Sequence, residues 1–350
     1  MGGTLSRFGV RFWFRCWRRP FTRRAWRTGL LRAAFLLLLA LSACAASSGS
    51  GPGAGPGSGP GADNLDASMQ ATVSYTSTLA DDRHDHRLVI APDGQARLRL
   101  GSNRGQPTRP IGRFVGSVPA PLHQRLAAIL GGAAFAAAPS QPSLVPDESY
   151  RRIQVSAPDP SPGLNKLVGE QLATPLAFAE AEQVLERMIE QLLTQPEAAL
   201  AMNLVLPRSE VQAGERALLE LHLIQRGGRA IRLSAPDRWG TGQGQVVAEL
   251  TALRADRPVA ELTFADQHFL QLGADNLTSS EPPPAGPTLQ LGSGGRVQLR
   301  FQPVIDWAPG TYRIELALTL QARGEDDAPL FDGVLVSAPV QLTVLAPPSP

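Results

Sequence analysis

Residues able to do chemistry are few in this sequence and mostly stand alone. The densest group is Asp81, Asp82, His84, Asp85 and His86, which puts two imidazoles and three carboxylates in one short run. Such donors suit a divalent cation, and in an extended segment His84 and His86 point to the same side. A polar run between two strands is, however, usually a solvated loop tip. No metal site is therefore assigned; His84, Asp85 and His86 are the residues a metal-dependent hydrolase would have to use. Glu220 and His222 share one face of a strand and could pair or ligate an ion, although an exposed sheet face is the ordinary setting for both. His268 has only Asp266 nearby and reads as loop, and His123 reads as the surface of a short helix. Glu325-Asp326-Asp327 reads as a hairpin tip, because a calcium loop needs alternating oxygen ligands. The folded part holds no Gly-x-Ser-x-Gly, no His-Glu-x-x-His, no phosphate loop and no dinucleotide fingerprint. Paired carboxylates for glycoside chemistry would leave no such trace, since their pairing is spatial. The expectation is a protein that is not an enzyme and has no cofactor.

The strongest chemical signal is a thiol. Cys16 and Cys44 are the two cysteines, and both fall at or before the junction between an arginine-rich head and the rest. Residues 33–41 are an apolar run, and Leu41, Ser42 and Ala43 lead into Cys44. The run has the length of a signal-peptide core and falls well short of the ~20 residues that span a bilayer. Ahead of it stand Arg7, Arg11, Arg15, Arg18, Arg19, Arg23, Arg24, Arg27 and Arg32, which would hold the amino terminus in the cytoplasm.

Leu41-Ser42-Ala43-Cys44 resembles the lipobox of bacterial lipoproteins. The resemblance implies that residues 1–43 are a signal peptide, that Leu41, Ser42 and Ala43 are read by the processing enzymes, and that Cys44 becomes the lipidated first residue. A thiolate is the nucleophile such a reaction needs. Ala45, in the place where an aspartate favours inner-membrane retention in enteric bacteria, implies the outer membrane. Arg18-Arg19-Pro20-Phe21 resembles part of a twin-arginine export motif, with further arginines between it and the apolar run.

Removing residues 1–43 takes nine positive charges from a formal net charge of +2, leaving −7. The basic bias thus belongs to the leader, and nucleic acid is not expected as a partner. The expected partners are the membrane, through lipid on Cys44, and a protein or envelope polymer. With no cysteine after Cys44, the folded part excludes disulfides and Cys-ligated zinc. Residues 45–62 are low-complexity, with three tandem Gly-Pro-Gly-Ala or Gly-Pro-Gly-Ser units at 51–62, and can bury nothing, so residues 44–63 read as a disordered tether. Eighteen flexible residues have an r.m.s. span of roughly 23 Å.

The length suggests two domains. Residues 64–196 read as an α+β domain, a small antiparallel sheet with two helices. Strands are expected at 70–77, 86–91, 95–100, 111–118 and 150–156, with Asp93-Gly94 as a hairpin turn. Helices are expected at 121–130 and 175–193, the second with Thr174 as N-cap and a full apolar stripe from Phe178 to Leu193. This order, with a loop containing Phe135, loosely resembles emfourin-type protease inhibitors. The resemblance implies a protease inhibitor acting through this domain and assigns no inhibitory residue.

Residues 197–346 read as strand after strand, with turns at Gly214, Gly227-Gly228, 292–295 and Pro309-Gly310. Strands are expected at 201–206, 216–224, 230–233, 246–253, 259–264, 269–272, 288–291, 296–301, 311–321, 333–337 and 340–345. Regular short strands argue for an antiparallel sandwich. Trp307-Ala308-Pro309-Gly310-Thr311-Tyr312, with the opening at 207–216, resembles immunoglobulin-like domains, which implies that the Tyr312 hydroxyl locks a corner. Residues 347–350 read as a disordered tail. The whole is expected to be a lipid-anchored envelope protein with two binding or scaffolding modules.

Overall fold

Alternating side chains decide most of this architecture. In the computed structural model, which describes residues 71–78, 86–145, 148–156, 163–240 and 246–347, the first strands are β1 (Thr72–Thr78), β2 (His86–Ile90), β3 (Gln95–Leu100) and β4 (Ile111–Ser117). Ala96, Leu98 and Leu100 point inward along β3 while Gln95, Arg97 and Arg99 face water, the period-2 pattern of a half-buried strand. The β2–β3 turn closes with the Gly94 amide on the Ala91 carbonyl at 3.0 Å. Two helices follow, α1 (Ala120–Leu130) and α2 (Ala133–Ala137), then β5 (Tyr150–Ser156), β6 (Leu164–Gly169) and α3 (Leu176–Leu192).

The rest is strand-rich: β7 (Pro196–Val205), β8 (Glu210–Gln212), β9 (Leu219–Arg226), β10 (Ile231–Ser234), β11 (Val246–Arg254) and β12 (Gln267–Leu272). Then come β13 (Leu277–Glu281), β14 (Thr288–Leu291), β15 (Arg296–Phe301), β16 (Gly310–Arg323), β17 (Pro329–Val336) and β18 (Val340–Leu345). They form two large sheets. The ten-stranded sheet has the order β13-β15-β9-β7-β4-β3-β2-β1-β5-β6, with every pair antiparallel. In the other sheet the long strand β16 is the centre: it pairs with β11, which pairs with β12, and also with β10, β17 and β18.

One sheet serves two cores. Tyr75, Leu98 and Phe114 pack against Phe178, Leu185 and Met188 of α3. Leu204, Leu221 and Leu299 pack against Leu250, Leu316 and Leu318 of the second sheet. The two clusters meet at β4 and β7. Ala198 and Leu200 belong to the inter-sheet core and Ala199 to the helix-covered one. This explains the unbroken buried run from Ala198 to Met202, the pattern of a strand covered on both faces. Gly112 allows β4 to approach it: a Cβ there would lie 2.3 Å from the Ala198 carbonyl oxygen. The ten-stranded sheet therefore runs through residues 196–205 without a break.

Some local expectations differ from what the chain does. Residues 259–264, expected as a strand, form parts of two 3₁₀ turns, Val259–Glu261 and Phe264–Asp266. Pro258 cannot donate to a ladder, and Thr263 and Asp266 satisfy each other's backbone in a capping box. Thr174 is not the N-cap of α3; Pro175 holds that position without a side-chain bond, and the Thr174 hydroxyl accepts from Arg151 at 2.8 Å. The elements α2, β6, β8 and β13 carry no pattern that marked them in advance. Outermost β6 is held by non-strand neighbours: its Leu167 amide donates to Ser140 Oγ at 2.9 Å, and the Gln141 amide donates to the Leu167 carbonyl at 2.8 Å.

Candidate functional site

Polar groups converge at three places. The first is where α3 crosses the sheet. Its apolar stripe is buried, and Glu182, Glu186 and Glu190, spaced four apart, form a row beside it. The buried Tyr75 of β1 donates its hydroxyl to Glu182 Oε1 at 3.0 Å. Arg151 of β5 bonds Glu182 Oε2 at 2.7 Å and lies 5.9 Å from the centre of the Phe178 ring. Burial, then the Glu182 carboxylate, pushes the Tyr75 phenol far above its ordinary range. Burial, reinforced by Glu182 and Glu190, raises the Glu186 carboxyl, opposed by Arg109. Arg109 in turn pairs with Glu190.

The second is the corner before β16. Tyr312 is fully buried, and its hydroxyl donates to the Ala308 carbonyl at 2.8 Å. The ring packs 5.2 Å from Trp307 and 5.5 Å from His268, and His268 stacks on Trp307 at 5.2 Å. His268 therefore belongs to β12 and an aromatic cluster, although the sequence placed it in a loop. Burial lowers its pKa, with Asp306 and Asp266 opposing. Its Nε2 is buried without a hydrogen-bond partner, so the neutral ring is the form this packing favours. Above the corner, Arg254 holds Asp256 through Nε at 2.7 Å and reaches the Pro309 carbonyl at 2.9 Å. That bond lowers the Asp256 pKa, with the Thr311 amide adding to it. Asp266 is lowered by the Thr263 backbone and hydroxyl.

The third joins the helix-covered part of the molecule to β17. The Asn103 side chain is buried and fully used. Its Nδ2 donates to the carbonyls of Val336 (2.9 Å), Pro107 (3.1 Å) and Arg109 (3.1 Å), and its Oδ1 accepts from the Val336 amide at 2.6 Å. Alongside, the Val334 amide donates to the Gly101 carbonyl at 2.8 Å, and Arg99 pairs with Asp332. The strand can come this close because residue 333 is glycine: a Cβ there would sit 2.3 Å from the Gly101 oxygen.

Of the residues singled out from sequence, Leu41, Ser42, Ala43, Cys44, His84 and Asp85 lie outside the described residues, as do Asp81 and Asp82. His86 opens β2, opposite Ser77. Glu220 and His222 do share a face, with Nε2 and Oε2 3.8 Å apart, but the stronger partner of Glu220 is Arg300 at 3.1 Å. Arg300 also reaches Glu281 at 3.0 Å, which makes a charge ladder across β9, β15 and β13. The residues 325–327 form the turn between β16 and β17, where Asp327 pairs with Arg323 at 3.2 Å. The Tyr75, Glu182 and Arg151 group was missed, because its members are 107 and 31 residues apart in the chain. Asn103, 233 residues from Val336, was missed for the same reason. Among the described residues no group of three His, Cys, Asp or Glu side chains converges in a way that could hold a metal ion.

Comparison with known proteins adds no family. No family model matches the chain, and no curated protein matches it. Parts of it resemble solved structures. One is the sporulation control protein Spo0M from Bacillus subtilis, at 12% identity over 41% of this chain and 49% of that one, TM-score 0.24. Another is the putative ApaA protein from Bordetella pertussis, at 11% identity over 42% and 94%, TM-score 0.23. The bacterial hydrophobin BslA matches at 12% identity over 44% and 99%, TM-score 0.20. Likenesses this slight assign neither a family nor a function to the chain.

Proposed function

We propose that this protein is a lipid-anchored component of the bacterial cell envelope, held at the outer membrane by lipid on Cys44. It presents two non-catalytic modules to a protein or envelope-polymer partner. Residues 64–196 serve as an α+β module and residues 197–346 as an immunoglobulin-like sandwich. The observation that carries the reading is the stretch Leu41-Ser42-Ala43-Cys44 at the end of an apolar run, followed by a chain with no other cysteine. Two or more acyl chains anchor a protein stably where one does not, at ~0.8 kcal/mol per buried CH₂. No helix among the described residues is long and apolar enough to cross a membrane. The strand-rich second region, with the Tyr312 hydroxyl on Ala308, supports the sandwich assignment. Detergent phase partitioning tests the anchor. Wild type should enter the detergent phase and Cys44→Ser should stay in the aqueous phase; equal partitioning of the two would sink the reading. Recovery of a stable complex from mildly solubilised membranes is expected for the binding role, and recovery of the free monomer alone counts against it.

A further inference from the structure

The phenylalanines of the described residues fall into two classes. Phe114, Phe135, Phe178, Phe301 and Phe331 are buried, whereas Phe264 and Phe269 are 65% and 55% exposed. The two exposed rings lie on one hairpin, β11–β12, and Val259 of the same hairpin is 77% exposed. Phe269 stands on strand β12, paired with Thr251 of β11, and the loop before it, which displays Val259 and Phe264, is held by its own bonds. Asp266 Oδ2 accepts from the Thr263 amide and from the Thr263 hydroxyl, both at 2.7 Å, and Asp266 Oδ1 lies 3.5 Å from Arg257. A pre-formed loop loses little conformational freedom when it docks. Apolar side chains kept in water by such a loop gain free energy when something covers them.

We propose that this hairpin docks on the membrane: Val259 and Phe264 of its loop and Phe269 of β12 enter the interfacial zone of the bilayer to which Cys44 is anchored. The proposal rests on the lipid-anchor reading. The bilayer is the surface the chain supplies by its own construction. Between Cys44 and Thr72 lie 27 residues, which at ~3.3 Å each reach at most ~90 Å. A folded body of this size has a radius of gyration of roughly 19 Å. The hairpin can therefore reach the headgroups whichever face the chain leaves from. Attachment through Cys44 makes the encounter intramolecular, so insertion too weak to bind a free protein suffices.

The cysteine content provides the test. With residues 1–43 removed and Cys44 lipidated, an introduced cysteine is the sole free thiol. Lipidated protein carrying Phe264→Cys, Phe269→Cys or, as a reference, Arg187→Cys on exposed α3 surface is labelled with an environment-sensitive dye. It is then reconstituted into vesicles of phosphatidylethanolamine and phosphatidylglycerol, with and without brominated acyl chains. Residues 264, 269 and 187 are all exposed, so the fold is not at stake. A blue shift and at least ~2-fold quenching by brominated lipid are expected at 264 and 269, and neither at 187. A blue shift without quenching would mean that a protein surface, including a second copy, covers the loop, and it overturns the proposal. Protein that floats with vesicles but shows no change at 264 and 269 overturns the docking and leaves the anchor standing. Protein that fails to float overturns both.

Discussion

Two buried tyrosines, one in each half of the molecule, solve the same problem by different means. A buried hydroxyl without a partner costs about 1–3 kcal/mol, so each must find an acceptor. Tyr312 finds the Ala308 carbonyl four residues back and packs its ring on Trp307 and His268. Tyr75 finds Glu182, 107 residues on, and Glu182 is held in turn by Arg151 from a third element. The hydroxyl bond of the corner is a local device, complete once residues 307–312 take their turn. The group beneath α3 exists only when the sheet and the helix have come together, so its energy belongs to the docking of elements rather than to any one of them.

The difference sets the order of effects. The largest falls on the joint between the two halves. Asn103→Ala strands two buried backbone groups at Val336 and two part-buried carbonyls at Pro107 and Arg109, and should cost about 3 kcal/mol in urea unfolding. A loss below about 0.5 kcal/mol would show that the clasp is incidental. Next, Glu182→Ala removes the Tyr75 hydroxyl's acceptor and the carboxylate partner of Arg151, which keeps Thr174, and should cost about 2 kcal/mol, discounted because Arg151 is partly exposed. Tyr312→Phe removes one bond and should cost about 1 kcal/mol. A double-mutant cycle sharpens the contrast. Tyr75→Phe and Glu182→Ala should couple by about 1 kcal/mol, whereas Tyr75→Phe and Tyr312→Phe should add within about 0.5 kcal/mol. Coupling between the tyrosines would contradict two separate devices.

The smallest effects are in pH, and they have opposite signs. Burial raises the Glu186 carboxyl above its ordinary value, so the folded state holds the extra proton in the window just above about pH 4.5. Stability from this group is present below that window and is lost as pH rises through the raised pKa. Glu186→Gln should therefore stabilise the protein at neutral pH and flatten that slope. Burial lowers His268 below about 6.5, so there the unfolded state takes the proton first. Its contribution falls as pH drops below about 6.5, and His268→Phe should remove the fall. Stability curves of both variants between pH 4 and 8, set against wild type, would show whether acid acts on the two halves in opposite directions; matching slopes would contradict the assignment.

What could be read in the sequence divides along the same line. The stripe of α3, the strand alternation of β3 and β9, and the corner at 307–312 are written in neighbouring residues. The run 259–264 looked like a strand because Val259, Leu262 and Phe264 are apolar, but Pro258 and the Thr263–Asp266 box gave its backbone other partners. Exposed Phe264 and Phe269 are legible as residues but not as surface, since exposure depends on what packs over them. Arg300 opposite Glu220, Asn103 against Val336 and the two-faced burial of β7 are consequences of register and sheet order. Nothing near those residues in the chain announces them.

The proposed attachment to the envelope hangs on Cys44. Intact mass of the protein isolated from bacterial membranes tests it most directly. A chain that begins at Cys44, has lost residues 1–43, and carries the added mass of acyl chains is the expected result. An unmodified chain, cut near Ala43 or Ala46, or one retaining the arginine-rich head, would contradict it.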